Sequence, residues 1–146
     1  MNILFSKSFG YALRGILYVA TRGSNNKIHL SEIAEHLALP KPFLGKVMHS
    51  MVSKGILSSE KGPGGGFYVN ENTLQTSLKT LVELTGETDT PDTCVLRLRK
   101  CSAASPCPLH EHVITMRDDW QNLISNTNLG DLLYKDQSTL IQSIAI

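Results

Sequence analysis

The 146-residue sequence has no hydrophobic run long enough to span a membrane and no recognisable secretory signal. Its most apolar stretch, residues 9–20, is interrupted by Gly10, Arg14 and Gly15. That stretch is shorter than the roughly 20 apolar residues needed to cross a bilayer. The opening residues 1–5 place no basic residue ahead of an apolar run, as a secretory signal would. We therefore expect a cytoplasmic protein with no membrane partner.

Glycine and proline, with 11 and 6 residues, are too few for a collagen-like or low-complexity chain. The hydrophobic fraction of 41% is in turn too high for a disordered chain. The length fits one globular unit with an appended element. We find no internal repeat, no nucleotide-phosphate loop and no catalytic constellation. The sequence therefore predicts a folded protein that is not an enzyme.

Cysteine is scarce, and its three copies lie within one 14-residue window, at Cys94, Cys101 and Cys107. An odd number of cysteines in a reducing compartment does not predict a disulfide framework. Their clustering favours metal or redox chemistry.

Net charge is also low, at +1, but it is unevenly distributed. Residues 1–69 hold eight Lys/Arg and three Asp/Glu, whereas residues 70–146 hold six and ten. The basic first half is compatible with a polyanionic partner, although a solvated basic face would give the same excess.

The first half also predicts three helices. Apolar residues at helical spacing predict a first helix over residues 8–22. Ser31 is a suitable N-cap for a short second helix, and Pro42 suits the first turn of a third helix that ends at Gly55. Two short helices joined by a tight turn are typical of a helix-turn-helix.

A β-hairpin follows directly. Residues 56–61 and 67–69 predict two strands, joined by the glycine-rich turn 62–66. A short helix over residues 77–84 and a polar linker over 87–92 come next. A helix-turn-helix followed by a hairpin indicates a winged helix.

A long helix is predicted from Leu109 onward, followed by a short one over residues 129–134. The long helix has one narrow apolar seam, which suggests a helix partner. The seam residues are Val113, Met116, Trp120, Leu123 and Ile124.

The predicted fold is mainly α with a small β-hairpin: a winged helix-turn-helix and a long C-terminal dimerisation helix. We expect a DNA-binding domain over residues 1–86, a cysteine-containing cluster loop over 87–108, and the dimerisation helix with a tail over 109–146.

The third helix is expected to expose polar residues that can contact phosphates and base edges in a major groove. These are Lys41, Gly45, Lys46, His49, Ser50, Ser53 and Lys54. The turn of the hairpin lets backbone approach another surface closely, because it is rich in glycine. We predict DNA contacts from Lys41, Lys46, His49, Ser50, Lys61, Gly62, Gly64 and Gly65. The alternatives are an ordinary solvated helix and a flexible hairpin tip.

The three cysteines and His110 form a set of thiolates and an imidazole that can bind zinc or an iron–sulfur cluster. A tight knuckle of two cysteines, usual in structural zinc sites, is missing. The wide spacing wraps more easily around a larger inorganic core. Buried cysteines acting as small apolar residues are the alternative.

Five segments together resemble the Rrf-type transcription regulators, the family of IscR and NsrR. The segments are residues 9–14, 30–57 and 61–67, the cysteine window, and residues 129–132. The resemblance extends from residue 1 to about residue 134. It implies a bacterial winged-helix homodimer, held together by the helix after the cysteines, in which an iron–sulfur cluster tunes DNA binding.

The resemblance also implies which residues hold the cluster. The cluster cysteines are Cys94, Cys101 and Cys107. His110 falls where members with a two-iron cluster have a histidine ligand, so His112 is not expected to be a ligand. Members with a four-iron cluster recruit an acidic residue where this chain has Gly10. The resemblance therefore favours [2Fe-2S] over [4Fe-4S], with Cys94, Cys101, Cys107 and His110 as ligands.

We accordingly predict a cytoplasmic repressor-type regulator that binds double-stranded operator DNA as a homodimer. The alternatives are a winged-helix regulator that uses the cysteines for thiol redox or zinc, a small electron-transfer protein, and a winged helix that binds only protein. The signal stays open among redox change, nitric oxide and cluster supply.

Overall fold

The structure, a computed structural model, describes residues 5–86, 94, 96, 100–133 and 143–144. The described elements are α1 Lys7–Thr21, α2 Leu30–His36, α3 Lys41–Ser53, β1 Leu57–Glu60, β2 Gly66–Val69, α4 Leu78–Leu84, α5 His110–Asn126 and α6 Leu129–Leu133. The predicted fold class, mainly helical with a two-stranded hairpin, is confirmed. The predicted linker 87–92 and most of the predicted tail lie outside the described residues. None of the described helices is long and apolar enough to cross a bilayer.

Helix α1 is the centre of the core. It begins after Ser6, whose hydroxyl accepts from the Phe9 N–H at 3.0 Å. A Cβ added to Gly15 would lie 2.6 Å from Sδ of Met48, so a larger residue here would force the buried Met48 side chain of α3 to move. Arg14 donates to the carbonyls of Leu37 and Ile144, each at 2.7 Å, and so ties both segments to α1.

Burial raises the pKa of Tyr18, on α1, above its usual 10.0. The Tyr18 hydroxyl therefore stays protonated and donates to Glu32 of α2 at 3.2 Å. This contact helps to hold α2 against the C-terminal part of α1.

The prediction that Ser31 is the N-cap of α2 is wrong. The helix begins at Leu30, and His29, with φ −67° and ψ 145°, is the cap. The reason is tertiary: the Ile28 N–H and carbonyl each pair with Phe67 at 2.8 Å, which fixes extended backbone just before His29.

The wing consists of β1 and β2, paired antiparallel from Leu57 opposite Val69 to Glu60 opposite Gly66. The Ile28 bridge joins the opposite edge of β2 to the helix-turn-helix. The wing is thereby fixed to the winged unit at its base.

The C-terminal end of α5 is fixed to α4. The Leu78 N–H donates to the Thr127 carbonyl, and the Leu129 N–H donates to the Thr76 carbonyl, both at 2.9 Å. Asn128 and Asp131 cap α6 reciprocally, each side chain accepting from the backbone N–H of the other.

The prediction that the apolar residues of α5 form one seam toward a partner helix is wrong in part. Val113 and Ile124 are buried within the chain, and Trp120 packs partly buried against the core beside Phe5. The rest of the seam, Met116 and Leu123, is exposed. The apolar residues of α5 cover too much of its circumference to face a single partner. One side of α5 therefore packs within the chain, and the side with Met116 and Leu123 remains exposed.

Candidate functional site

The outer side of α3 exposes the residues that the sequence predicted there, with the exception of Gly45 and, in part, Ser50. Lys46 and His49 are exposed, and Ser50 is half-buried. The prediction that Gly45 is exposed is wrong: Gly45 is buried, and an added Cβ would lie 3.0 Å from Cδ2 of Leu30. Glycine at this position lets α2 and α3 approach each other.

The lysines near α3 divide into two groups. Lys41 donates to the Ser31 hydroxyl at 2.7 Å, and Lys54 donates to the Leu84 carbonyl, at the C-terminus of α4, at 2.6 Å. Within the described parts of the chain, Lys46 and Lys61 have neither an ion pair nor a hydrogen bond. These two ammonium groups are therefore the most available for an anionic partner.

His49 connects α3 to the wing. Its ring centroid lies 5.2 Å from that of Phe67 on β2, with the planes inclined at 52°. His49 is exposed and contacts β2, so the outer side of α3 adjoins the wing at an exposed surface. We call this surface, defined by Lys46, His49 and Lys61, the α3–wing surface.

The glycines of the wing have different roles. Gly62 has a φ of +96°, which favours glycine, and Gly64 has open space around it. Gly65 is buried, and an added Cβ would lie 2.1 Å from the Glu60 carbonyl oxygen. The hairpin's own backbone therefore accounts for Gly65 without a DNA contact, whereas Lys61, Gly62 and Gly64 are exposed.

Two contacts that hold the wing were missed by sequence reasoning. The Nε2 atom of His29 lies 3.2 Å from the Pro63 carbonyl oxygen at the wing tip, and Lys27 forms an ion pair with Glu60. Lys27 also lies 5.8 Å from the centroid of the Tyr68 ring. No local pattern signals such contacts, because the partners are more than 30 residues apart in the chain.

The four predicted cluster ligands come together around one small cavity of about 10 Å³. Its lining is Cys94, Lys100, Cys101, Ser102, Ser105, Cys107 and His110. His110 is the first residue of α5, and its N–H donates to the Cys107 carbonyl at 3.0 Å. His112 is exposed and does not line the cavity.

Within the cavity, one pair of predicted ligands is in contact: the Cys101 Sγ lies 3.3 Å from Nδ1 of His110. Cys94 is buried and the other two cysteines are half-buried, and none of the three is in a disulfide. Among the residues that the structure describes, no three His, Cys, Asp or Glu side chains are grouped closely enough to hold a metal ion. The donor types fit a soft metal or cluster, but the thiols would have to move to share it.

Comparison with known proteins places the chain in a family. Residues 5–135 match the Rrf2 family model, described as iron-dependent transcriptional regulators. The chain belongs to the Rrf2 family. An HTH-type transcriptional regulator of Aquifex aeolicus is 31% identical over 140 residues, covering 94% of this chain and 96% of the relative. IscR of Vibrio campbellii is 23% identical over 130 residues, covering 89% and 76%.

Solved structures of Rrf2-type regulators share the fold. CymR of B. subtilis, described as a global cysteine regulator, superposes with a TM-score of 0.71 at 20% identity, covering 90% of this chain and 98% of CymR. IscR of T. potens superposes with a TM-score of 0.65 at 15% identity, covering 91% and 88%. The solved structures show the winged-helix fold, and the family match makes this chain a DNA-binding transcriptional regulator and not an enzyme.

Proposed function

We propose that this Rrf2-family chain is a homodimeric cytoplasmic repressor whose affinity for operator DNA is controlled by an iron–sulfur cluster bound through Cys94, Cys101, Cys107 and His110. The observation that carries the proposal is that these four residues line one cavity in a chain whose other half is a winged helix. The α3–wing surface is the proposed DNA contact.

The proposed DNA contact divides between base reading and phosphate binding. A helix of the diameter of α3 fits the major groove, where Lys46 and His49 can reach base edges or backbone. Lys61 and the exposed wing glycines Gly62 and Gly64 meet phosphates, since an ammonium is a point charge that suits them. Lys41 and Ser50 are secondary contacts, because Lys41 is engaged by Ser31 and Ser50 is half-buried.

The proposed ligand set supplies three thiolates and one imidazole. Histidine in place of cysteine has precedent at two-iron clusters, so the set favours [2Fe-2S] over [4Fe-4S]. A bound cluster would supply a redox-responsive and nitric-oxide-responsive centre. The chain's own residues hold the imidazole in place, because His110 begins α5 and its ring already contacts the thiol of Cys101.

The proposed dimer contact is the exposed flank of α5. Leu109, Met116 and Leu123 are spaced by seven residues and are 42%, 48% and 53% exposed. Seven-residue spacing keeps Met116 and Leu123 on one face of α5, as in two-helix contacts, and Leu109 is the cap residue before that helix. A second copy of α5 would bury this stripe.

The link between the two sites is geometric. The cavity lies at the N-terminus of α5, while the C-terminal end of α5 is hydrogen-bonded to α4 of the winged unit. A cluster bound by both Cys94 and His110 would restrain the segment that joins the winged unit to α5. The distance between the two recognition helices of the dimer would then be fixed. Dimeric DNA-binding proteins discriminate between operators by this distance, because it must match the spacing of the two half-sites.

The experiment is a DNA-binding titration of the same anaerobic preparation before and after iron removal with a chelator. We expect the two forms to differ in affinity for operator DNA, and to share similar affinity for mixed-sequence duplex. Equal operator affinity of the two forms would contradict control by a cluster while leaving DNA binding intact.

A second candidate is a thiol-based regulator that uses the same winged helix without iron. Three cysteines line one cavity, two of them are half-exposed, and none is in a disulfide, which favours this candidate. Among the related structures, one CymR is described as a global cysteine regulator and another, from Staphylococcus aureus, is an oxidized form. Visible absorption of the anaerobic protein separates the candidates, because thiols and zinc are colourless.

A further inference from the structure

An aromatic and cationic cluster joins the first turn of α1 to α3. The ammonium of Lys7 lies 5.7 Å from the Tyr11 ring centroid and 5.6 Å from that of Phe43. The two rings meet edge to face with centroids 5.0 Å apart. Phe43 is exposed although it is a large apolar residue on the proposed recognition helix.

This cluster continues the outer side of α3. A groove of about 220 Å³ is lined by Ser8 of α1 and by Phe43, Lys46 and Ser50 of α3, among others. Phe43 therefore borders both Lys7 and the groove that contains Lys46. We call the surface formed by Lys7, Tyr11, Phe43 and Lys46 the α1–α3 edge.

The α1–α3 edge and the wing contact α3 at different positions along the helix. Phe43 contacts Tyr11 of α1, whereas His49 contacts Phe67 of the wing. Lys46 lies between them on the helix, since residues 43, 46 and 49 follow one another by three positions. A helix seated in a major groove has a phosphate backbone on each side.

The charge of the α1–α3 edge is uncompensated. The first turns of α1 and α3 contain no acidic residue. Across the described residues, neither Lys7 nor Lys46 takes part in an ion pair. A ring face attracts an ammonium without accepting a conventional hydrogen bond, so the N–H donors of Lys7 remain available.

We propose that Lys7 contacts a DNA phosphate beside the N-terminal part of α3, and that Tyr11 and Phe43 position its ammonium. The proposal rests on the proposed binding of DNA through the α3–wing surface. It adds a second backbone contact, next to α1, to the one proposed at the wing.

The experiment measures binding of the full chain to labelled mixed-sequence duplex DNA at several salt concentrations. Lys7→Ala should reduce the slope of log affinity against log salt by about 1 and weaken binding at low salt by about tenfold. Lys7→Arg should keep the slope. The matched control is Lys79→Ala, which removes an exposed lysine at the far end of α4 and should change neither quantity.

The positioning role has its own readout. Phe43→Leu keeps an apolar side chain but removes the ring, and should weaken binding less than Lys7→Ala does. Adding Lys7→Ala to Phe43→Leu should then cost less than Lys7→Ala does alone. If the losses of binding free energy from the two substitutions simply add in the double variant, the role of Phe43 is overturned. Thermal unfolding of each variant checks that the fold is intact.

The outcomes separate this inference from the proposed function. If Lys61→Ala lowers the salt slope and Lys7→Ala does not, the contact at Lys7 is overturned and the α3–wing surface stands. If Lys79→Ala acts like Lys7→Ala, the effect is one of overall charge and the inference is wrong. Absence of salt-dependent DNA binding by the unmodified chain would overturn both.

Discussion

The Nδ1 atom of His110 lies 3.3 Å from the Sγ atom of Cys101, which connects the first turn of α5 to a thiol nine residues earlier. Both atoms are of types that bind iron and zinc. His112, two residues further along, is exposed and makes no part of the cavity. The position of one ring therefore distinguishes two histidines that are near neighbours in the sequence.

The first prediction concerns these two histidines. His110→Ala should lower the iron content of anaerobically purified protein, or make iron loss on exposure to air faster, because it removes an imidazole from the proposed ligand set. His112→Ala should leave both quantities nearly unchanged. Iron content and the decay of visible absorption measure the effect, and equal behaviour of the two variants would disprove the assignment of His110.

The second prediction concerns the base of the wing. Gly66 has a φ of +140°, and an added Cβ would lie 2.6 Å from the Ile28 carbonyl oxygen. Gly66→Ala should therefore lower the free energy of unfolding by about 2–3 kcal/mol, through strain and displacement of the Ile28 bridge.

The control for Gly66 is its neighbour Gly64, which has open space around it and a φ outside the left-handed region. Gly64→Ala should change the free energy of unfolding by less than about 0.5 kcal/mol, as is usual for surface substitutions. Urea unfolding of both variants checks the pair. Similar stability of the two variants would show that the packing of Gly66 against Ile28 does not matter.

The sequence predicted what depends on local pattern and missed what depends on distant contacts. Helical spacing placed α1, and the glycine-rich turn placed the wing. The start of α2 was missed, because hydrogen bonds between Ile28 and Phe67, 39 residues apart, decide it. The burial of Gly45 was missed because it depends on how closely Leu30 approaches α3.

The candidate site shows the same division. The four predicted cluster residues do line one cavity, since they lie close together in the chain. The hydrogen bond from Lys41 to Ser31 was missed, because Ser31 was predicted to cap α2 and Lys41 to contact DNA. Periodicity alone does not tell which side of α5 is buried within the chain. Apolar residues have the same helical spacing whether they pack against the core of their own chain or against a partner helix.

The third prediction separates the two flanks of α5. Leu123→Glu should shift the protein from dimer toward monomer while keeping its helical content, because Leu123 is exposed within the chain. Trp120→Ala should instead lower the free energy of unfolding by about 3 kcal/mol, the lower end of the range for aromatic truncation, because the ring is only partly buried. Light scattering and thermal unfolding test the pair, and an unmodified chain that is monomeric in solution would contradict the dimer.

The fourth prediction separates phosphate binding from base reading. Lys61→Ala should weaken binding to operator and scrambled duplexes alike and reduce the log–log salt slope by about 1. An unchanged slope would remove the wing from the DNA contact.

The fifth prediction concerns His49, which the Phe67 ring holds on the outer side of α3. If His49 reads a base edge, His49→Ala should cost roughly 1–3 kcal/mol on the operator and little on scrambled DNA. Titrations of both duplexes measure the difference. An equal loss on the two duplexes would assign His49 to the backbone instead.

The most direct measurement for the cluster is the iron and acid-labile sulfide content of anaerobically purified protein, together with its visible absorption. The proposed ligand set predicts a coloured protein with iron and sulfide in near-equal amounts. Cys101→Ala should lose both, because it removes the thiol that contacts His110. Stoichiometric zinc without sulfide after careful reconstitution, or a colourless protein, would contradict an iron–sulfur cluster at this site.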